Sequence, residues 1–99
     1  MNLLWAPGAV QDLVRLREFL EPGSSAAAER AAARIRQAAS ALLVQLEAGR
    51  VVEDAPELRD LIAPFGAGAY VIRYRIYSDA VLVVRVWHSR EERPPRGQR

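Results

Sequence analysis

Two periodicities divide the chain. Apolar residues recur at helical spacing through the first half and at every second position through much of the last third. Asn2 to Ala6 reads as a short strand because Leu3, Leu4 and Trp5 are apolar. Pro7 suits the first turn of a helix, where a missing N–H costs nothing. Val10, Leu13, Leu16, Arg17 and Leu20 then fall at helical spacing, with Val14 and Phe19 widening the stripe. Gln11, Asp12, Arg15 and Glu18 take the polar face, and Pro22-Gly23 ends the helix.

Ser24 or Ser25 can cap a second helix, predicted to run to Glu47 or Ala48 with Gly49 as its stop. Its buried side is mostly alanine at first (Ala28, Ala31, Ala32, Ala38, Ala39, with Ile35) and then leucine (Leu42, Leu43, Leu46). Small side chains allow another helix close approach, so the two helices form an antiparallel hairpin. Residues 50–58 read as a polar linker containing Pro56. Leu58 to Pro64 reads as a short strand, and Gly66 and Gly68 mark a turn.

Tyr70 to Tyr77 and Val81 to His88 alternate and are rich in β-branched and aromatic residues, with Ser78, Asp79 and Ala80 between them: a β-hairpin. That loop pairs Tyr77 with Val81 and Tyr70 with His88. One face is then Tyr70, Ile72, Tyr74, Ile76, Leu82, Val84, Val86 and His88, nearly a pure core face. The other holds Val71, Arg73, Arg75, Tyr77, Val81, Val83, Arg85 and Trp87. A slip that set Arg85 beside Tyr74 would mix the faces, so the arginine-bearing face is expected to look outward. The order strand, helix, helix, then about three antiparallel strands predicts an α+β domain. In it an antiparallel two-helix hairpin packs on one face of a small antiparallel sheet (β-α-α-β-β-β). Residues 1–93 form this single domain, and 94–99 are a basic tail containing Pro and Gly.

Composition narrows the chemistry. The 99 residues, 51% hydrophobic and 26% charged, suit one globular domain. No apolar run approaches the roughly 18 residues of a membrane span, and the N-terminus lacks a signal-peptide pattern, so the expected location is the cytoplasm. The absence of cysteine excludes disulfides and thiol chemistry. The lone His88 cannot build a histidine metal site, so neither metal nor cofactor is expected. Residues 1–58 carry 6 Arg against 8 Asp and Glu, whereas residues 59–99 carry 8 Arg against 4. The bias points to an anionic or acidic macromolecular partner rather than a small-molecule substrate or a membrane. All 14 basic residues are Arg, and the Ala, Gly and Pro content fits a GC-rich genome as the simpler source of that choice.

Several segments together resemble the RelE/ParE superfamily of type II toxin–antitoxin toxins. They are Leu4-Trp5-Ala6-Pro7 leading into Ala9-Val10-Gln11-Asp12-Leu13, the alanine-rich helix, Leu58-Arg59-Asp60-Leu61, Tyr70-Val71-Ile72-Arg73-Tyr74-Arg75, and Val81 through Arg90. The likeness covers residues 3–93. It implies a stable toxin made with a labile antitoxin that wraps and neutralises it. It also implies one of two actions: ribosome-dependent cleavage of mRNA, as in RelE-like members, or inhibition of DNA gyrase by binding, as in ParE-like ones.

Residue chemistry favours the binder. RNA cleavage through the 2′-hydroxyl needs a base, an acid and a cation near the phosphate. The nuclease branch draws these from Lys and Arg of the central sheet and from a Tyr or His-Tyr pair near the C-terminus. Here Val71 stands where that branch has Arg, the preceding linker carries Glu53, Asp54 and Glu57, and His88 is followed by Ser89 rather than Tyr. The residues left for a metal-independent endoribonuclease are His88 as base with Arg59 or Arg90 stabilising charge. A lone histidine at a strand end is ordinarily a hydrogen-bonded structural residue. The expected reading is therefore no catalytic residue, with Arg73, Arg75, Arg85, Trp87, Arg90 and Arg93 contacting partners: the antitoxin, and gyrase as target. The ribosome and its mRNA are the alternative target, and an inactive member that only binds antitoxin is the second alternative. Arg73 and Arg85 fall opposite one another, which demands an offsetting carboxylate or full solvation.

Overall fold

A computed structural model describes residues 1–91 of the chain; Arg93 and the tail 94–99 lie outside the described residues. The order is β1 (Asn2–Trp5), α1 (Pro7–Leu20), α2 (Ser25–Ala41), β2 (Arg50–Val52), β3 (Ala55–Phe65), β4 (Gly68–Ile76) and β5 (Ala80–His88). The strands form one sheet in the order β1-β5-β4-β3-β2, antiparallel except for the edge pair β1 and β5. The helices pack on one face. This is the α+β architecture expected, with one more strand, because the predicted linker is β2 and the first residues of β3. Pro56 and Pro64 sit near the ends of β3, where a missing N–H disturbs little of the ladder.

Pro7 opens α1, and Ala9, Asp12 and Leu16 are its buried positions. The Ser24 hydroxyl caps α2 by accepting from the Ala27 N–H at 3.1 Å. The helix stops at Ala41 instead of running to Glu47 or Ala48. Tertiary bonds explain the early stop. The Tyr74 hydroxyl accepts from the Gly49 N–H and donates to the Leu46 carbonyl, each at 2.8 Å. Arg59 donates to the Gly49 carbonyl at 2.9 Å. These bonds hold the chain after Ala41 in turns against β3 and β4, and Leu42 is buried with Tyr74 and Val81.

The β4–β5 register starts as the sequence predicts, with Tyr70 opposite His88, Val71 opposite Trp87, Ile72 opposite Val86 and Arg73 opposite Arg85. It then shifts, with Tyr74 opposite Val83 and Ile76, not Tyr77, opposite Val81. Val84 is the extra residue, a β-bulge, and it reverses the facing of what precedes it. Val81 and Val83 therefore enter the core, correcting the expectation for Leu82 and Val84. Val84 packs instead with Val52, Ala55 and Leu58. The main core joins Ala9, Leu16, Ala31, Ile35 and Ala39 of the helices to Tyr70, Ile72, Val83 and Val86 of the sheet, with Trp5 packed beside it. Alanines on α2 keep that layer thin.

Candidate functional site

On β4 and β5 the residues between the core positions carry the arginines. Arg73 and Trp87, expected to face solvent, are only 8% and 4% exposed. The reason lies on β3, where Asp60 stands opposite Arg73. The Arg73 guanidinium makes a two-pronged ion pair with it, Nε to Oδ1 at 2.8 Å and Nη2 to Oδ2 at 3.0 Å. Its centre lies 5.1 Å from the Trp87 ring, a cation–π contact. The hydrogen bond to Asp60 raises the Arg73 pKa further above its ordinary value, so the cation is permanent.

Arg85 turns toward α1 rather than outward. Its Nε and Nη2 reach the Asp12 carboxylate at 2.7 and 3.1 Å. The opposed pair Arg73 and Arg85 is thus reconciled inside the chain, each cation holding its own carboxylate. Asp12 is 1% exposed and also accepts from Arg15 and from the Val86 N–H. Burial alone would raise its pKa, but the bonds from Arg85, Val86 and Arg15 prevail and hold it below the usual value. Reading the polar face of α1 missed this residue. The signal was present: Ala9, Asp12 and Leu16 follow one helical stripe, and a carboxylate on a buried stripe needs a cation.

Arg75 is exposed, with its guanidinium 5.0 Å from the Tyr77 ring. Arg90 is exposed too; its side chain donates to the Ala67 carbonyl at 3.3 Å and its backbone N–H to His88 Nδ1 at 3.1 Å. These two mark opposite ends of the β4–β5 hairpin. Between them an open groove runs past Arg50, Asp54, Asp60, Ile62, Val71 and Trp87. Ile62 is 58% exposed on its wall, an apolar residue with nothing packed over it among the described residues.

The candidate residues for RNA chemistry divide. His88 stacks edge-on against Tyr70 with centroids 5.2 Å apart, and its ring lies so close to Gly68 that a Cβ there would come 2.7 Å from Cε1. With Nδ1 accepting from Arg90, a neutral His88 carries its proton on Nε2. Arg59 lies opposite Tyr74 on β4, whereas His88 lies opposite Tyr70. Four residues along the sheet, about 13 Å, and the width of β4 between their strands separate them. Arg59 is, moreover, engaged with Gly49 and with the Glu47 carboxylate at 3.1 Å. Only His88 and Arg90 are brought together. Among the described residues no three His, Asp or Glu side chains are grouped as metal ligands, and no helix is long and apolar enough to cross a membrane.

Known proteins resemble this chain in sequence and in fold. The family described as ParE toxin of type II toxin-antitoxin system, parDE, matches residues 3–93. Toxin RelE3 of Caulobacter vibrioides is 39% identical over 87 residues, spanning 88% of this chain and 92% of that protein. Toxin RelE1 of the same organism is 38% identical over 85 residues, with 86% and 89% covered. A solved chain titled "Chromosomal ParDE TA system from P. aeruginosa" superposes with a TM-score of 0.73 at 21% identity, covering 89% of this chain and 95% of that one, a likeness of fold. The chain therefore belongs to the RelE/ParE superfamily, as the toxin of a type II toxin–antitoxin system that an antitoxin neutralises.

Proposed function

We propose that the toxin acts by binding DNA gyrase and blocking it, not by cutting RNA, and that it does so in the cytoplasm. The observation that carries this reading is the dispersal of the nuclease candidates. Arg59 braces the loop before β2, far along the sheet from His88, so of the two candidate cations only Arg90 is left beside that base. Arg75 and Arg90, exposed at the two ends of the β4–β5 hairpin, fit an acidic protein surface. Arg93 joins them by sequence. Arg73, Arg85 and Trp87 shape the face from beneath rather than projecting from it.

A second reading, ribosome-dependent mRNA cleavage, is favoured by the juxtaposition of His88 and Arg90 and by the RelE names of the relatives. Supercoiling by purified gyrase, run beside mRNA integrity in a translating extract, separates the two. The free toxin is expected to block supercoiling and leave mRNA whole, and His88→Ala is expected to keep growth arrest. Unaffected gyrase with cut mRNA, abolished by His88→Ala, reverses the order. Normal growth on induction identifies a member that binds antitoxin without toxicity.

A further inference from the structure

The β3–β4 turn projects from one end of the sheet. Phe65 pairs with Gly68, so Gly66 and Ala67 form its tip, and both are exposed. Gly66 has a φ of 59°, in the left-handed region, and a Cβ built on it would meet nothing within 4 Å. Neither N–H of the tip donates to an acceptor among the described residues.

Two guanidinium groups flank this bare tip. Arg34, on α2, donates from Nε to the Pro64 carbonyl at 3.0 Å, just before the turn. Arg90, beyond β5, donates from Nη2 to the Ala67 carbonyl at 3.3 Å, within it. Each contact uses one N–H of a group that carries several. The backbone that presents Arg90 is itself fixed. Its N–H meets His88 Nδ1 at 3.1 Å, and Ser89 exchanges two bonds with Ala69, at 2.8 and 3.1 Å. Arg30 stands one helical turn before Arg34 on the same side of α2, exposed. The acids beside these cations in sequence are engaged elsewhere, Glu29 by Arg17 and Glu91 by Arg15.

We propose that this turn, with Arg30, Arg34 and Arg90, is a phosphate-binding site that takes the backbone of duplex DNA. Backbone N–H groups and guanidinium forks grip phosphate oxygens without reading sequence. The site is a projecting tip, not a hollow: the open groove past Trp87 and the crevice between the helices are lined by other residues. A small phosphate metabolite needs walls around it, whereas a polymer can meet a convex surface. The cations also form a row along α2 and past the turn, which Arg93, Arg96 and Arg99 continue in sequence, and a row suits a chain of phosphates better than one carboxylate. The rings at this end, Phe65, Tyr70 and His88, pack on one another instead of standing out to stack bases, which favours a duplex over a single strand. The inference rests on the gyrase reading only for its setting: a toxin seated on gyrase lies beside the DNA that gyrase holds.

The test is fluorescence anisotropy of a labelled DNA duplex titrated with the full chain, without gyrase, at salt from about 50 to about 200 mM. Binding is expected to weaken as salt rises, with a log–log slope of about 3 for three phosphate contacts. Arg34→Ala/Arg90→Ala is expected to lower that slope by about two and the affinity at least about tenfold. Should the double variant fail to fold, Ala67→Glu sets a carboxylate on the exposed tip and is expected to weaken binding likewise. Arg36→Ala, on another side of α2, is expected to bind as the parent does. Equal loss in Arg36→Ala, or undiminished binding by Ala67→Glu, overturns the site. Polyglutamate that displaces the duplex as well as unlabelled duplex does, at equal charge, overturns DNA as its ligand. A supercoiling assay alongside separates this inference from the gyrase reading. A toxin that blocks gyrase without binding the duplex overturns the site and leaves that reading standing, and one that binds the duplex without blocking gyrase does the reverse.

Discussion

The Asp12 carboxylate gathers donors from Arg85, Arg15 and the Val86 backbone in a site almost without solvent. Removing the charge leaves Arg85 half-buried beside a neutral group. Breaking a buried pair this way costs about 3 kcal/mol. Asp12→Asn is therefore expected to lower the urea midpoint near neutral pH. The pH dependence follows from the lowered pKa. Asp12 contributes its full stability above the unfolded value of 3.8 and loses it as pH falls toward the depressed folded value. Urea midpoints taken between about pH 6 and about pH 3 should fall more steeply for the parent than for Asp12→Asn, and parallel slopes would refute the assignment. Arg73 gives a second residue-scale expectation. Truncating Arg73→Ala uncovers the Trp87 ring and should red-shift the tryptophan emission, while Arg75→Ala, over Tyr77, should not.

At the scale of elements, two tertiary devices override local pattern. One is the bulge at Val84, which turns Val81 and Val83 inward. The other is the clamp on the loop between α2 and β2. Tyr74→Phe deletes the hydroxyl that serves both Gly49 and Leu46, orphaning a buried N–H, and is expected to cost about 2 kcal/mol. Its hydrogen-exchange signature should be confined to residues 46–49. Gly49→Ala is expected to be worse, because its Cβ would lie 2.7 Å from Tyr74 Cε1 and 3.0 Å from the Asp60 backbone carbon, and neither side can yield cheaply. A thermal scan of the two variants orders them.

For the whole molecule, the two ends of the β4–β5 hairpin carry the exposed arginines, while the centre of the face is neutralised from within. Charge reversal at both ends, Arg75→Glu with Arg90→Glu, is expected to weaken target engagement by at least about tenfold, since like charges across an interface repel. Neither side chain carries a core contact, so unfolding midpoints should move little. Surface plasmon resonance against gyrase, with the antitoxin as a second analyte, reads both effects. Unchanged affinity for gyrase in the double variant would place the contact elsewhere.

Much of the fold could be read from residue order alone, because burial on one face writes itself into periodicity. The two helices, the hairpin of β4 and β5 and the pairing of Arg73 with Arg85 all follow from spacings of about 3.6 and 2. Where those spacings broke, sequence reasoning failed for physical reasons. The bulge adds one residue without a local signal; α2 ends early because side chains from distant strands bind the residues that follow it; β2 is too short to show alternation. Of the site, the sequence supplied the arginines, Trp87 and His88. Which arginine meets which carboxylate depends on β3 lying beside β4 and on α1 lying along β5. Charge identity is local, but its neutralisation belongs to the packed molecule, where low dielectric makes every unpaired ion costly.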